Sequence, residues 1–222
     1  MRSDERRAQI LEGAAEFFSE SGLTGNTRDL SAHLGIAQPL LYRYFPSKQV
    51  LLDTVFEELF VKRWNPGWRR LIEDRSQPLG ERVARFYTEF DARLLTRQWV
   101  RLFVFSGLGG HAYNQRVFRK LMTDIFRPLG VELRHLHGLP AVPPRAITSQ
   151  EIEMIWELHG VIFYRRMRQH VYGVKLQAGT EDVIANLLFY LEGAAPRVLA
   201  SLFPGQPVAA GAQGLRRAGN VL

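Results

Sequence analysis

The stretch LGIAQPLLYRYFPSK, residues 34–48, places one tight turn between two short helices. Gly35 is suited to end a helix over residues 27–34, because glycine adopts the left-handed conformation that closes a helix without steric cost. Pro39 fits the first turn of the next helix, residues 38–44, where a backbone N–H has no partner within the helix. Two short helices joined by such a turn, with a third packed across them, form a helix-turn-helix.

The sequence on both sides of this stretch also predicts helices. Residues 4–21 carry apolar side chains at helical spacing before Gly22, and a longer fourth helix follows Pro46 and bends or ends near Pro66. Further helices are predicted at residues 79–96, 98–108, 114–135, 149–173 and 181–203. The chain is therefore predicted to be all-α, with an N-terminal three-helix head over residues 1–50, a larger helical bundle over residues 51–203 and a disordered tail over residues 204–222.

Residues 10–55 resemble the DNA-binding domain of the TetR family of bacterial transcriptional regulators. The string Leu-Tyr-x-Tyr-Phe-x-Ser-Lys, which begins at Leu41, follows the turn Leu34-Gly35-Ile36 at the spacing typical of that family. The other matching residues are Ile10, Leu11, Ala14, Ala15, Phe17, Phe18, Gly22, Thr27, Leu30, Leu51 and Leu52. The resemblance covers the first quarter of the chain, and in that family the remainder is a variable domain for ligand binding and dimerisation.

The resemblance implies a ligand-responsive, sequence-specific DNA-binding regulator of transcription, more often a repressor than an activator. Such a protein binds a pseudo-palindromic operator in double-stranded DNA as a homodimer and is released by a small-molecule effector. The last two long helices, residues 149–173 and 181–203, are predicted to form the dimer interface with their twofold mates. The identity of the effector, the operator sequence and the sign of regulation do not follow from the sequence.

By position in the family pattern, the first turn of the recognition helix faces base edges. Gln38 can pair with an adenine, and Pro39 and Leu40 can contact thymine methyl groups. The residues expected to hold the phosphate backbone are Thr27, Arg28, Tyr42 and Lys48, while Arg43 and Tyr44 lie at the far end of the helix. Tyr44 is equally compatible with packing. Ala37 departs from the family, which usually has Ser or Thr there as a helix cap.

Two aromatic groups in the remainder of the chain are candidates for effector binding. Trp99, Arg101 and Phe103 could form a pocket wall, with Arg101 available for a carboxylate. Trp156, His159, Phe163 and Tyr164 share one helix face through their spacing, and that face could line the same pocket or the dimer seam. The alternative for both groups is ordinary core and interface packing.

The composition excludes several kinds of site. The chain has no cysteine, so disulfides, thiolate nucleophiles and cysteine-bearing zinc sites are excluded. We expect His111, His135 and His137 to be solvated histidines and not metal ligands. The basic run at residues 165–168 is expected to be a solvated helix face or an intersubunit ion-pair partner. No pair of residues suggests catalysis, and no cofactor, signal peptide or membrane-spanning segment is predicted. We expect a soluble, cytoplasmic protein that is not an enzyme.

The net charge of +7 arises outside the predicted head. Residues 1–50 hold six basic and six acidic side chains, so the head is formally neutral and the remainder carries the whole excess. Basicity therefore does not support DNA binding by the head, which depends on helix geometry and a few placed cations. The alternative function that the sequence leaves open is a helical ligand-binding or protein-interaction module with a vestigial DNA-binding head. A third alternative, an enzyme that uses a central cavity, has the least support.

Overall fold

The computed structural model describes residues 3–208, apart from the side chain of Glu192. All regular secondary structure within that range is helical, in agreement with the predicted fold class. The α-helices of this range are α1 (Ser3–Ser21), α2 (Thr27–His33), α3 (Gln38–Tyr44), α4 (Lys48–Phe56), α5 (Trp68–Glu73), α6 (Leu79–Arg93), α7 (Arg97–Leu108), α8 (Tyr113–Lys120), α9 (Arg127–Leu136), α10 (Ser149–His170), α11 (Thr180–Gly193) and α12 (Ala195–Leu202). A short 3-10 turn, Pro144–Ala146, precedes α10.

The helices divide into two compact units. The first unit is built from residues 3–64, 93–117 and 166–173, and it contains α1 to α4 and α7. The second unit is built from the other described residues and contains α5, α6, α9, α11 and α12. Helices α8 and α10 contribute residues to both units. The functional boundary predicted after residue 50 stays a prediction.

Helices α1 to α3, which make up the predicted head, and α4 after them begin and end where local side chains favour it. Asn26 Oδ1 accepts the backbone N–H of Asp29 at 2.8 Å, and Ser47 Oγ accepts that of Val50 at 3.2 Å, so α2 and α4 both start at capped residues. Gly35 has a φ of +62°, the left-handed conformation predicted for the turn. The largest fully buried side chains of the head and α4 are Ile10, Phe18, Leu30, Leu41, Phe45 and Leu51.

The chain after α4 contains one helix that the sequence did not predict. A π-helical segment, Glu57–Val61, prolongs α4, in keeping with the longer fourth helix that was predicted. Helix α5 then begins directly after Pro66 and Gly67, at Trp68. Its six residues are too few to show helical periodicity, yet Trp68 and Ile72 are completely buried in the second unit. The burial of Trp68 therefore anchors a helix that the spacing of apolar residues alone does not predict.

The second unit is tied together by buried ion pairs. The carboxylate of Glu132 on α9 forms ion pairs with Arg75 at 2.9 Å and Arg82 at 3.0 Å. Burial raises the pKa of the Glu132 carboxyl, but the two guanidinium groups outweigh it and hold this pKa below its usual value. Arg134 pairs with Glu151 of α10 at 2.6 Å. Helices α8 and α9, predicted as one helix over residues 114–135, are joined through a π-helical segment, Leu121–Phe126.

The last predicted helix, residues 181–203, is divided at Ala194 into α11 and α12. Pro196 lies in the first turn of α12, and since proline has no backbone N–H it favours the start of a new helix there. The span Thr180–Leu202 has a mean hydropathy of 1.3 and is long and apolar enough to cross a membrane by composition alone. One such segment is weak evidence, because core and interface helices share this composition. Of the predicted tail, residues 209–222 lie outside the described residues.

Two expectations about charged residues were wrong. His137 is buried, whereas His135 is exposed as expected. Arg165 is also buried, and its guanidinium donates to the carbonyl of Ala178 at 2.6 Å and to Thr180 Oγ1 at 3.2 Å. Periodicity does not mark these side chains as buried, because Arg165 is a polar residue on the mostly apolar inward face of α10, and His137 lies in the turn that follows α9.

Candidate nucleic-acid interface

Helix α3 has the boundaries predicted from the sequence and is anchored by Leu41, which is 1% exposed. Pro39 and Arg43 are exposed, and Gln38 and Leu40 are half-buried. The outward surface of α3 thus combines one amide, two apolar groups and one guanidinium with the exposed phenol of Tyr42. This mixture suits contact with base edges through an amide pairing with adenine and apolar contacts with thymine methyl groups.

Three of the predicted DNA-binding residues are joined by hydrogen bonds. The hydroxyl groups of Thr27 and Tyr42 lie 2.9 Å apart, and Gln38 Nε2 donates to Thr27 Oγ1 at 3.0 Å. Thr27 is the first residue of α2, and its side chain is largely buried, whereas Tyr42 is 41% exposed. The cluster therefore fixes the first residue of α3 against the first residue of α2. It also restrains the rotamers of side chains that would otherwise lose conformational entropy on binding.

The predicted cations of the head lie on three different helices. Arg28 lies in the first turn of α2 and Arg43 in the last turn of α3, and both are exposed. Lys48 begins α4, where its Nζ atom lies 5.7 Å from the centroid of the Phe18 ring and partial burial lowers its pKa. Tyr44 is half-buried, and its contact with DNA stays a prediction.

Two features of the head and the fourth helix have no counterpart among the predictions. The guanidinium of Arg7 lies over the ring of Phe45 at 4.9 Å, a cation–π contact across positions that no helical spacing relates. A groove of about 560 Å³ is lined mainly by α1 and by the end of the fourth helix, with Leu11, Val55 and Leu59 among its apolar residues. Neither feature has a signal in the sequence, because both depend on how α1 packs.

The first group of candidate effector residues lies in the first unit. The rings of Trp99 and Phe103 are stacked with their centroids 4.8 Å apart, and both are buried. Arg101 does not present its guanidinium to an open pocket. It donates to the backbone carbonyl of Ser19 at 2.5 Å and to that of His170 at 3.2 Å, near the ends of α1 and α10. The carboxylate role considered for Arg101 therefore competes with hydrogen bonds that it already makes.

The second group lies in the second unit. His159 is buried, and its ring lies 5.2 Å from Phe90, 5.4 Å from Phe126 and 5.7 Å from Trp156. Burial lowers the pKa of His159 to about 4, so the imidazole is neutral at pH 7. Trp156 and Phe163 are half-buried. The structure thus brings Trp156 and His159 together, and effector binding by either group stays a prediction.

One member of this second cluster was missed. Tyr87 on α6 is fully buried, and its ring centroid lies 5.9 Å from that of His159. The available signal was the apolar stripe of α6, in which Val83, Tyr87 and Phe90 recur at helical spacing. Within residues 3–208, the His, Asp and Glu side chains form no group of three that could hold a metal ion.

Comparison with known proteins identifies the head. Residues 10–55 match the family model for bacterial regulatory proteins of the tetR family. The chain is 32% identical over 88 residues to the HTH-type transcriptional repressor KstR2 of Mycobacterium tuberculosis, a match that covers 39% of this chain and 44% of the relative. It is 26% identical over 99 residues to the tetracycline repressor protein class D of Escherichia coli, covering 41% of this chain and 45% of the relative. The chain thus spans less than half the length of these curated relatives, which are named as repressors of transcription and not as enzymes.

Solved structures share the fold over nearly the whole chain. A tetR-family transcriptional regulator from Streptomyces coelicolor superposes with a TM-score of 0.59 at 18% identity, covering 91% of this chain and 85% of its own. A TetR family transcriptional regulator from Pseudomonas syringae pv. tomato gives a TM-score of 0.54 at 16% identity, and the match covers 90% of this chain and 97% of that structure's chain. At these identities the likeness shows the fold alone. Residues 10–55 therefore match the TetR-family DNA-binding domain, and the fold of two solved TetR-family regulators extends over nearly the whole chain.

Proposed function

We propose that this chain is a sequence-specific DNA-binding regulator of transcription that acts as a repressor. The observation that carries the proposal is the hydrogen-bonded cluster of Thr27, Gln38 and Tyr42, which lies within the segment matched by the family model. A network that holds one buried hydroxyl, one amide and one exposed tyrosine in fixed positions is suited to a ligand of regular shape, such as duplex DNA.

The roles of these and the neighbouring side chains are proposed from their positions in the TetR pattern. Gln38, Pro39 and Leu40 are proposed to contact base edges in the major groove. The side chains proposed to contact phosphates are those of Thr27, Arg28, Tyr42 and Lys48, with Arg43 and Tyr44 at the far end of the helix. Because the head is formally neutral, we expect weak non-specific binding and a marked preference for the correct operator.

We further propose that the protein acts as a cytoplasmic homodimer through α10, α11 and α12. Tyr164 on α10 and Phe189 on α11 are exposed by 53% and 71%, although both are large and apolar. A second copy that covered them would remove this apolar surface from water. Two heads related by a twofold axis then meet successive major grooves of a pseudo-palindromic site, about 34–36 Å apart if they lie one helical turn apart.

A small-molecule effector is proposed to control the release of DNA. Ligand binding shifts a protein toward the conformation that binds the ligand better, and release follows if that conformation misplaces the two heads. The candidate residues for effector binding are those of the two aromatic clusters, Trp99 with Phe103 and Trp156 with His159, together with Arg101 and Phe163.

The proposal is tested by selecting bound sequences from a random duplex library with the full-length protein, followed by gel-shift titration of the selected site. We expect enrichment of a pseudo-palindrome. Tyr42→Phe removes one hydroxyl and is expected to weaken binding about fivefold to tenfold. Tyr172→Phe, at another exposed tyrosine, is the matched control and is expected to bind like the unaltered protein.

Gln38→Ala is expected to relax the preference at one base pair by about 1–3 kcal/mol without abolishing binding to other sequences. A library from which no sequence is enriched would contradict the proposed function. The formal neutrality of the head favours one second candidate, a ligand-binding or protein-interaction module with a vestigial head. That candidate predicts equally weak binding to every duplex tested.

A further inference from the structure

The second unit contains two neighbouring buried polar groups whose hydrogen-bonding capacity is not used. Tyr87 Oη and His159 Nδ1 are both inaccessible to solvent, and neither has a hydrogen-bond partner among the described residues. Their rings contact each other with centroids 5.9 Å apart. A buried polar atom without a partner lowers stability, so two such atoms side by side indicate a place where a bound molecule would supply the missing hydrogen bonds.

Aromatic rings surround this polar pair. Phe90 and Phe126 contact His159 edge-on, and Trp156 contacts both Phe126, at 4.6 Å, and His159, at 5.7 Å. Rings in edge-to-face arrangements form walls that favour flat apolar molecules. The cluster thus combines an aromatic lining with a polar end made by one phenol and one imidazole.

The polar end carries no charge at neutral pH. Burial lowers the pKa of His159 to about 4 and raises the pKa of Tyr87 above its usual value, so both groups are neutral at pH 7. Neutral groups do not compensate a carboxylate or an ammonium ion for the loss of its hydration. A hydroxyl group both donates and accepts, so it can satisfy the phenol and either tautomer of the imidazole.

We propose that Tyr87 and His159 form the polar end of the effector site, and that this site takes neutral, ring-containing molecules with a hydroxyl group. The assignment rests on the proposed function, because it names the chemistry of the effector. The ring of the ligand packs against Phe90, Phe126 and Trp156. Acids of the same shape are excluded by the cost of burying their charge.

Trp156 is the residue through which the site opens. Its ring is half-buried and contacts exposed Phe118 at 5.6 Å as well as buried His159 at 5.7 Å. A molecule bound beside His159 lies against this ring, because Trp156 contacts His159 directly. Binding therefore changes the fluorescence of Trp156, and a Trp156→Phe variant loses that part of the change.

The test uses three naphthalene derivatives of nearly equal shape with the full-length protein at pH 7. Isothermal titration calorimetry measures the affinity for 2-naphthol, which is neutral and has a hydroxyl group, for 2-naphthoate, which is charged, and for 2-methylnaphthalene, which lacks a polar group. We expect 2-naphthol to bind at least about tenfold more tightly than either of the others. Failure to bind 2-naphthol, or equal binding of 2-naphthoate, overturns the proposal.

Two variants locate the site. Tyr87→Phe keeps the ring and removes the hydroxyl, and His159→Phe keeps a ring and removes both nitrogens. Each is expected to weaken 2-naphthol binding about fivefold to tenfold and to leave 2-methylnaphthalene binding unchanged. Tyr190→Phe in the same unit, where the hydroxyl already bonds to Glu157, is the control. If His159→Phe does not fold, Tyr87→Phe decides, and unchanged 2-naphthol affinity in Tyr87→Phe overturns the proposal.

Gel-shift titration of the same preparations separates this inference from the proposed function. A protein that binds its selected operator but fails the naphthalene comparison retains its function and refutes the effector chemistry. A protein that passes the comparison without enriching any DNA sequence supports the site and refutes the regulator.

Discussion

Arg101 shows why a charged residue inside an apolar helix is hard to interpret from sequence. The aromatic surroundings of Arg101 in α7 are as compatible with a ligand anchor as with a structural role. In the structure its guanidinium donates to the carbonyls of Ser19 and His170. Carbonyl groups in the last turn of a helix have no partner within the helix, so one side chain satisfies two helix ends. No spacing rule relates residues 19, 101 and 170.

At this scale we predict that Arg101→Met lowers the free energy of unfolding by about 2–3 kcal/mol, because two carbonyl groups lose a charged donor. Arg97→Met is the matched control. Arg97 lies one turn away and forms an exposed ion pair with Glu20, so its loss is expected to cost less than about 1 kcal/mol. Urea unfolding followed by circular dichroism measures both changes. Equal effects of the two substitutions would show that the carbonyl contacts of Arg101 contribute little.

Helix α3 illustrates how far an element can be predicted from local sequence. Its start is marked by Pro39 and its end by Phe45-Pro46, so both boundaries agree with the prediction. The unusual cap is also visible in the structure: Ala37 has the extended backbone of a cap residue, with φ −69° and ψ 138°, but makes no side-chain hydrogen bond. Helix α3 therefore begins with backbone N–H groups that its cap residue does not satisfy.

We predict that Ala37→Ser stabilises α3 by about 1 kcal/mol, because the serine hydroxyl can accept one of these N–H groups without a change of backbone. Amide hydrogen exchange in α3 measures the effect locally and should slow about fivefold. Ala32→Ser, at an exposed position in the last turn of α2, tests whether a serine at another exposed alanine has the same effect. It is expected to destabilise slightly, since serine is a weaker helix former than alanine. Unchanged exchange in Ala37→Ser would contradict the capping explanation.

At the scale of the whole molecule, the sequence predicted the fold class and most helices but not the connections that depend on tertiary packing. Helix α5 was not predicted because six residues are too few to show a helical period. The break at Ala194 was not predicted because Pro196 lies within a longer apolar stretch. For the candidate site, position in the family pattern predicted Thr27, Gln38 and Tyr42, but their mutual hydrogen bonds required the fold. Tyr87 was missed since a buried tyrosine in an aromatic stripe resembles ordinary core.

The dimer is a prediction at the same scale. Phe189→Glu places a charge on the most exposed aromatic side chain of α11 and is expected to convert a dimer into a monomer at micromolar concentration. Leu108→Glu, at a position 82% exposed on α7 and outside the predicted interface, is expected to leave the dimer intact. Sedimentation velocity distinguishes the two species. A dimer that persists in Phe189→Glu places the interface elsewhere.

The π-helical segment Leu121–Phe126, which joins α8 to α9, has a consequence for comparing this chain with its relatives. A π-helical turn commonly arises when one residue is inserted into an α-helix. Deleting one residue there restores the regular ladder and rotates every later position of the helix by about 100°, the angle that separates successive residues. Relatives that differ by a gap at this point therefore present a different face of α9, from residue 127 onward. An alignment that ignores the gap would equate side chains that face different neighbours.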